Sequence, residues 1–165
     1  MQRVYSLLVD NNSGVLSRIS GLFTRRGYNI DSITAGVTAD PRFTRITIVS
    51  SGDEIFLSQI EKQIAKLEDV IVVKVLKPEE SVYRELILVK IRANAQQRSE
   101  IVSIADIFRA KIVDAERESL VIELTGTQSK LEAFLQLLDG YEILELARTG
   151  IAGLSRGIKD VTFIE

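Results

Sequence analysis

The chain has 165 residues, 45% of them hydrophobic and 27% charged, and its 21 Lys and Arg against 23 Asp and Glu leave a net charge of −2. It contains no cysteine and no histidine, which excludes disulfides, thiol nucleophiles, the usual zinc sites and histidine acid–base chemistry. The charge balance excludes a global basic field for nucleic acid, and the length allows one domain or two small ones.

Arg3 to Val9 reads as a strand with little polar interruption after Ser6. The next segment places Val15, Leu16, Ile19, Leu22 and Phe23 on one helical face, which Ser13 or Asn12 is expected to cap and Gly27 to stop. Arg25 and Arg26 complement the dipole at its C-terminus. A strand is predicted over Tyr28 to Val37, a turn at Asp40-Pro41, and a return strand over Phe43 to Ser50. Gly52-Asp53 opens a second helix with Leu57, Ile60, Ile64 and Leu67 inward. The β-branched run Val70 to Leu76 is expected to be a well-covered strand. The order is βαββαβ.

That order then repeats. Lys77-Pro78-Glu79-Glu80-Ser81 is the most linker-like stretch, and it divides residues 1–78 from residues 79–165. Charge changes across it, from a net +2 to a net −4. Glu85 to Ile91 is a strand, and Ile101, Ile104, Ala105 and Phe108 form a helical face. Lys111 to Ala115 and Leu120 to Leu124 are strands. Thr127 caps a helix with Leu131, Phe134, Leu135 and Leu138 inward, and Glu142 to Arg148 closes the unit. The three-glycine stretch Thr149 to Gly157 is expected to be irregular and to belong to the second domain. The fold class is α+β: two ferredoxin-like βαββαβ units in tandem, each a four-stranded antiparallel sheet backed by two helices.

Only the first half carries a glycine loop between its first strand and helix; no glycine occurs between Gly52 and Gly126. The segment Asp10-Asn-Asn-Ser-Gly14 ends at a helix start, where free backbone N–H groups and the helix dipole suit a carboxylate. Asn11 and Asn29 offer amide groups to the head of a free amino acid, with Asn29 and Ile30 near that loop or near its copy in a second subunit. Val15, Leu16, Ile30 and Ile33 are aliphatic and suit a branched side chain. The same residues also describe an ordinary strand-to-helix turn.

The motif Asn11-x-Ser13-Gly14-x-Leu16-Ser17-Arg18, then Gly21-Leu22-Phe23, Arg26-Gly27-Tyr28-Asn29-Ile30 and Ser32, resembles the ACT domain of the small, regulatory subunit of acetohydroxyacid (acetolactate) synthase. The resemblance continues through Asp40-Pro41, Arg45-x-Thr47-Ile48, Gly52-Asp53 and Gln59 to Gln63. In the second half it rests on Arg84 to Ile91 and on Arg148-Thr-Gly150-x-x-Gly153-Leu-Ser-Arg-Gly157. It implies an ACT domain over residues 1–78 and an ACT-like domain over 79–165. It also implies a non-catalytic chain that activates a catalytic large subunit and confers feedback inhibition by valine in branched-chain amino acid biosynthesis. Thiamine diphosphate, Mg and FAD would belong to that partner, with no cofactor or metal on this chain. The effector would sit at an ACT homodimer interface, with Asn11, Gly14, Val15 and Leu16 of one chain facing Asn29 and Ile30 of the other. Ser13, Ser17, Ile33, Ala35 and Gly36 would lie close by. Arg148, Gly150, Leu154 and Arg156 would contact the catalytic subunit.

The start Met1-Gln-Arg-Val-Tyr runs directly into a strand with no signal-type apolar run, and no apolar run approaches the ~18 residues of a membrane span. The expectation is a cytoplasmic chain with no membrane or nucleic-acid partner. Three alternatives share the topology or the ligand. An ACT-type regulator of another enzyme would carry the same glycine loop. An RNA-recognition module would need aromatics on the central strands, where Tyr5 and Phe43 are the available rings. An acylphosphatase-type enzyme needs an arginine in a phosphate-cradling loop, and Asp10 to Gly14 contains none.

Overall fold

The structure is a computed structural model that describes residues 1–162. The elements are β1 (Gln2–Asp10), α1 (Val15–Arg26), β2 (Ser32–Val37), β3 (Phe43–Ser51), α2 (Glu54–Ile64), β4 (Val70–Leu76), β5 (Ser81–Arg92), α3 (Ala95–Phe108), β6 (Lys111–Ala115), β7 (Ser119–Gly126), α4 (Gln128–Leu137), β8 (Ile143–Arg148) and β9 (Ala152–Ser155). They form two compact units, one of Met1–Tyr83 with the residues from Ile151 onward, the other of Arg84–Gly150. No helix among the described residues is long and apolar enough to cross a membrane.

In the first unit the strand order is β2-β3-β1-β4, antiparallel throughout. Strand periodicity sends Tyr5, Leu7 and Val9 of β1 toward the helices, where they pack with Ile46 and Ile48 of β3, Val15, Ile19 and Phe23 of α1, and Leu57, Ile60 and Ile64 of α2. Each such fully buried side chain contributes roughly 1.5–3 kcal/mol. The Tyr5 hydroxyl donates to the Leu57 carbonyl at 2.7 Å, so the ring is buried with its polar tip satisfied.

The opposite face of this sheet is also covered, which explains the almost unbroken burial of β1. Val4, Val49 and Leu76 form a second small core with Ile151, against which Tyr83 packs. Thr34 Oγ1 donates to the Ile151 carbonyl at 2.7 Å, and the Arg156 N–H donates to the Glu80 carbonyl at 2.7 Å. The glycine-containing stretch expected to be irregular thus contains β9, which pairs with β5. From Ile151 the chain joins the first unit, and the expected division at residue 78, with the whole tail in the second domain, differs from the observed one. The cause is local: Ile151 fills an apolar gap that β1, β3 and β4 leave open. Gly153 fits because a Cβ there would stand 2.9 Å from Tyr83 Cδ1 and 3.0 Å from Leu76 Cδ1.

Three other expectations changed. The N-cap of α1 is Gly14 itself, left-handed at φ 88, and neither Ser13 nor Asn12 caps it. The second strand begins at Ser32 rather than Tyr28. The left-handed Gly27 closes α1, with the Tyr28 N–H donating to the Phe23 carbonyl, and the turn directs Tyr28 into edge contacts with Phe23 and Phe56. The β4 strand lies at the sheet edge, half-covered, with Ile71 42% exposed, because only one neighbour flanks it.

The second unit repeats the order as β6-β7-β5-β8. Its core joins Ile87, Val89 and Ile91 of β5 to Ile122 and Leu124 of β7, Ile101 and Ala105 of α3, and Leu131 and Phe134 of α4. A reciprocal Asn94–Gln97 capping box starts α3, and Thr127 caps α4. The Lys77–Ser81 linker contains a single 3-10 turn, Pro78–Glu80.

Candidate functional site

The Gly14 loop forms where β1 ends and α1 begins. Arg42 and Pro41 hold Asn11 from both sides: the Asn11 N–H donates to the Arg42 carbonyl at 2.8 Å, and its Nδ2 donates to the Pro41 carbonyl at 2.9 Å. Its Oδ1 accepts from Thr44 Oγ1 at 3.1 Å. One amide hydrogen and one lone pair of Asn11 remain for other partners. Asn11, Ser13, Gly14 and Ser17 are exposed, Leu16 is half-exposed, and Val15 is buried as part of the core. With Gly14 as the cap, no side chain accepts a hydrogen bond from the backbone N–H groups of the first turn of α1.

Sequence reasoning missed Arg18. Its Nη1 lies 3.1 Å from where a Gly14 Cβ would be, and its Nε donates to Asp69 Oδ2. That bond to Asp69 raises the guanidinium pKa above its ordinary value. The signal was available, since Arg18 follows Gly14 by one helical turn.

Asn29 and Ile30 lie elsewhere. The Asn29 carbonyl accepts from Ser50 Oγ at 2.5 Å, and its Nδ2 donates to Asp31 Oδ1 at 2.7 Å. Ile30 is half-buried against the core, and Asn29 is exposed. Asn11 is therefore anchored beside Thr44 and Asn29 beside Ser50, six positions apart on β3, roughly 20 Å at the rise of a strand. Within one chain the structure does not bring the two halves of the expected site together. Between them runs β2, with Ser32 opposite Val49 and Val37 opposite Thr44. Ile33, Ala35 and Gly36 are exposed along it, and its outer edge has no strand partner among the described residues.

The residues expected to contact a partner subunit fall into two groups. Leu154, 57% exposed, and Arg156 face solvent. Arg148 instead forms a two-pronged ion pair with the buried Glu85, at 2.8 and 3.2 Å, and Gly150 is buried at φ 82. The aromatics that an RNA-recognition surface would need are also withdrawn. Tyr5 is wholly buried on the helix side, and Phe43 is 8% exposed.

A family profile described as the AHAS small subunit-like ACT domain matches residues 5–72, and one described as the small subunit of acetolactate synthase matches residues 84–157. The chain belongs to the acetolactate synthase small-subunit family. It is 48% identical over 160 residues to the acetolactate synthase isozyme 3 small subunit of Salmonella typhimurium, covering 96% of this chain and 98% of that one. It is 48% identical over 155 residues to a probable acetolactate synthase small subunit of Methanothermobacter thermautotrophicus, covering 93% and 92%. The crystal structure of the acetolactate synthase small subunit from Thermotoga maritima matches with a TM-score of 0.88 at 42% identity, covering 96% of this chain and 99% of that chain. Acetolactate synthase small subunits are regulatory, and this chain shares both their sequence and their tandem fold.

Proposed function

We propose that this chain binds a catalytic large subunit of acetolactate synthase, raises its activity, and makes it sensitive to feedback inhibition by valine in branched-chain amino acid biosynthesis. The thiamine diphosphate, Mg and FAD of that reaction belong to the catalytic partner, and the complex works in the cytoplasm. The chain contributes recognition and no carboligation.

The observation that carries this reading is the separation of Asn11 from Asn29. A two-fold axis that pairs the free edge of β2 with its own copy, antiparallel, reverses strand ends. The Ser32 end of one protomer then meets the Val37 end of the other, and Asn29 and Ile30 approach the partner's Gly14 loop. Such a homodimer also covers Ile33 and Val37, which are 39% and 59% exposed in the single chain. The N–H groups of the first α1 turn and the Arg18 guanidinium receive the effector carboxylate, and the amides of Asn11 and Asn29 position its head group. Leu16 and Ile30 flank its branched side chain.

The test is reconstitution with the cognate large subunit. Activity should rise on adding this chain and fall again with valine. A chain that leaves the large subunit unaffected, or an enzyme indifferent to valine, overturns the reading.

A further inference from the structure

In the second unit β6 is an outer strand, paired with β7 on one side and with no strand on the other among the described residues. It is the counterpart of β2, since the two sheets run β6-β7-β5-β8 and β2-β3-β1-β4. All of its residues are exposed, Ile112 at 37% and Val113 at 50%. A free edge that carries apolar side chains is a template for a further strand.

A bulge and two charges narrow what that strand can be. Lys111 stands opposite Glu123, Ile112 opposite Ile122 and Asp114 opposite Val121, so Val113 is the extra residue of a bulge. Val121 and Glu123 are two apart on β7, which puts Lys111 and Asp114 on one face of the sheet. Ile122 belongs to the core, so that face is the one turned away from the helices. Neither Lys111 nor Asp114 forms an ion pair among the described residues. A straight strand laid along this edge falls out of step at Val113, whereas a strand with the same bulge keeps step. Laid antiparallel about a two-fold axis between Ile112 and Val113, it sets Lys111 of one chain opposite Asp114 of the other and Ile112 opposite Val113, each contact made twice. Opposite charges and aliphatic pairs at facing positions are the contacts that stabilise such a ladder. The sequence Lys111-Ile-Val-Asp114 is complementary to its own reverse.

We propose that the β6 edge is a self-association surface whose partner is a second copy of this chain, held by two reciprocal Lys111–Asp114 pairs. It is distinct from the β2 edge and requires neither an effector nor a catalytic subunit.

The test uses the full chain, which has no cysteine of its own. Val113→Cys places a single thiol beside the axis, and a short bismaleimide should link two copies at micromolar protein. Ser99→Cys, at an exposed position of α3, is the collisional control and should link far less. In the Val113→Cys background, Lys111→Glu or Asp114→Lys makes both reciprocal contacts like-charged and should lower linking roughly tenfold. Both substitutions in one chain should restore it. Mixing the two single variants should restore it as well, because every facing pair is again of opposite sign, and this also shows that each variant is folded. Three results overturn the proposal: linking at position 113 no stronger than at 99, equal linking in parent and single variants, or a loss that neither combination regains.

Discussion

Asn11 and Asn29 are held at opposite ends of the same strand, one through Thr44 and the other through Ser50. A ligand the size of an amino acid spans only a fraction of that length, so it reaches both only if a second protomer supplies one of them. This gives a complementation test. Gly14→Asp disables the loop and Asn29→His disables the amide, so each homodimer should lose valine sensitivity. In a mixed dimer one of the two sites carries both lesions and the other carries none. Mixing the variants should restore part of the valine response, measured on the reconstituted enzyme. If loop and amide served one site within a chain, every site in the mixture would stay damaged and nothing would return.

Gly14→Asp alone should reduce valine affinity at least tenfold, because its carboxylate sits where the ligand's belongs and competes for Arg18. The sequence suggests little loss of stability, since acidic residues suit helix starts. The backbone adds a cost. At φ 88 a side chain is strained, by about 1 kcal/mol, and Asp tolerates this region better than most. Calorimetry should show a small drop in Tm with no loss of large-subunit activation.

Much of this fold was legible because its determinants are local. The Val15 to Phe23 face, the Gly27 stop and the Thr127 cap all depend on neighbours within a turn or two, and each stands where the pattern placed it except Leu16, which falls off the buried face and is 50% exposed. The α1 N-cap was misread because Ser13 and Asn12 are good capping residues, whereas a left-handed Gly14 enters the helix without a side chain. The tail was misread for a different reason. Four residues, Ala152–Ser155, carry too little periodicity to declare a strand, and their place follows from an apolar gap among Val4, Val49 and Leu76, far away in sequence. For the proposed site, spacing alone singled out Gly14 and Asn29 as candidates but could not say that they lie at opposite ends of a sheet.

That gap makes the tail a testable part of the first unit. Ile151→Ala should destabilise the protein by about 2–3 kcal/mol, since the residue is 7% exposed and cannot be replaced by collapse of a sheet face. Gly153→Val should cost about 1–3 kcal/mol by driving a branched side chain into Tyr83 and Leu76. In hydrogen exchange both variants should lose protection on β1, β3 and β4. Loss confined to β5–β8 would place the tail with the second unit instead.

Arg148 is better read as structural than as a free contact. Its guanidinium pairs with Glu85, whose side chain is 6% exposed. Arg148→Ala leaves that carboxylate buried and alone, and should cost about 1–3 kcal/mol, discounted for the partial exposure of the arginine. The double variant Arg148→Ala with Glu85→Ala should recover part of the loss in chemical denaturation. If the single variant is as stable as the parent and only weakens the large-subunit complex, the direct-contact role stands.

Alkaline stability should depend on Tyr5. Burial, the leading cause, pushes its phenol from 10.0 up to about 12. The neutral phenol is the form that the core accepts and that donates to Leu57. In the unfolded chain the same group ionises near its ordinary value, so raising pH above about 10 draws the equilibrium toward the unfolded state. The contribution is fully present below pH 10 and is lost as pH approaches 12. Tyr5→Phe removes both the hydrogen bond and the titration. At pH 7 it should lower stability by about 1 kcal/mol, while between pH 10 and 12 its Tm should fall less steeply than that of the parent. The comparison needs thermal melts of the two proteins across that range, read by far-ultraviolet circular dichroism. Parallel curves would show that other groups govern the alkaline limb.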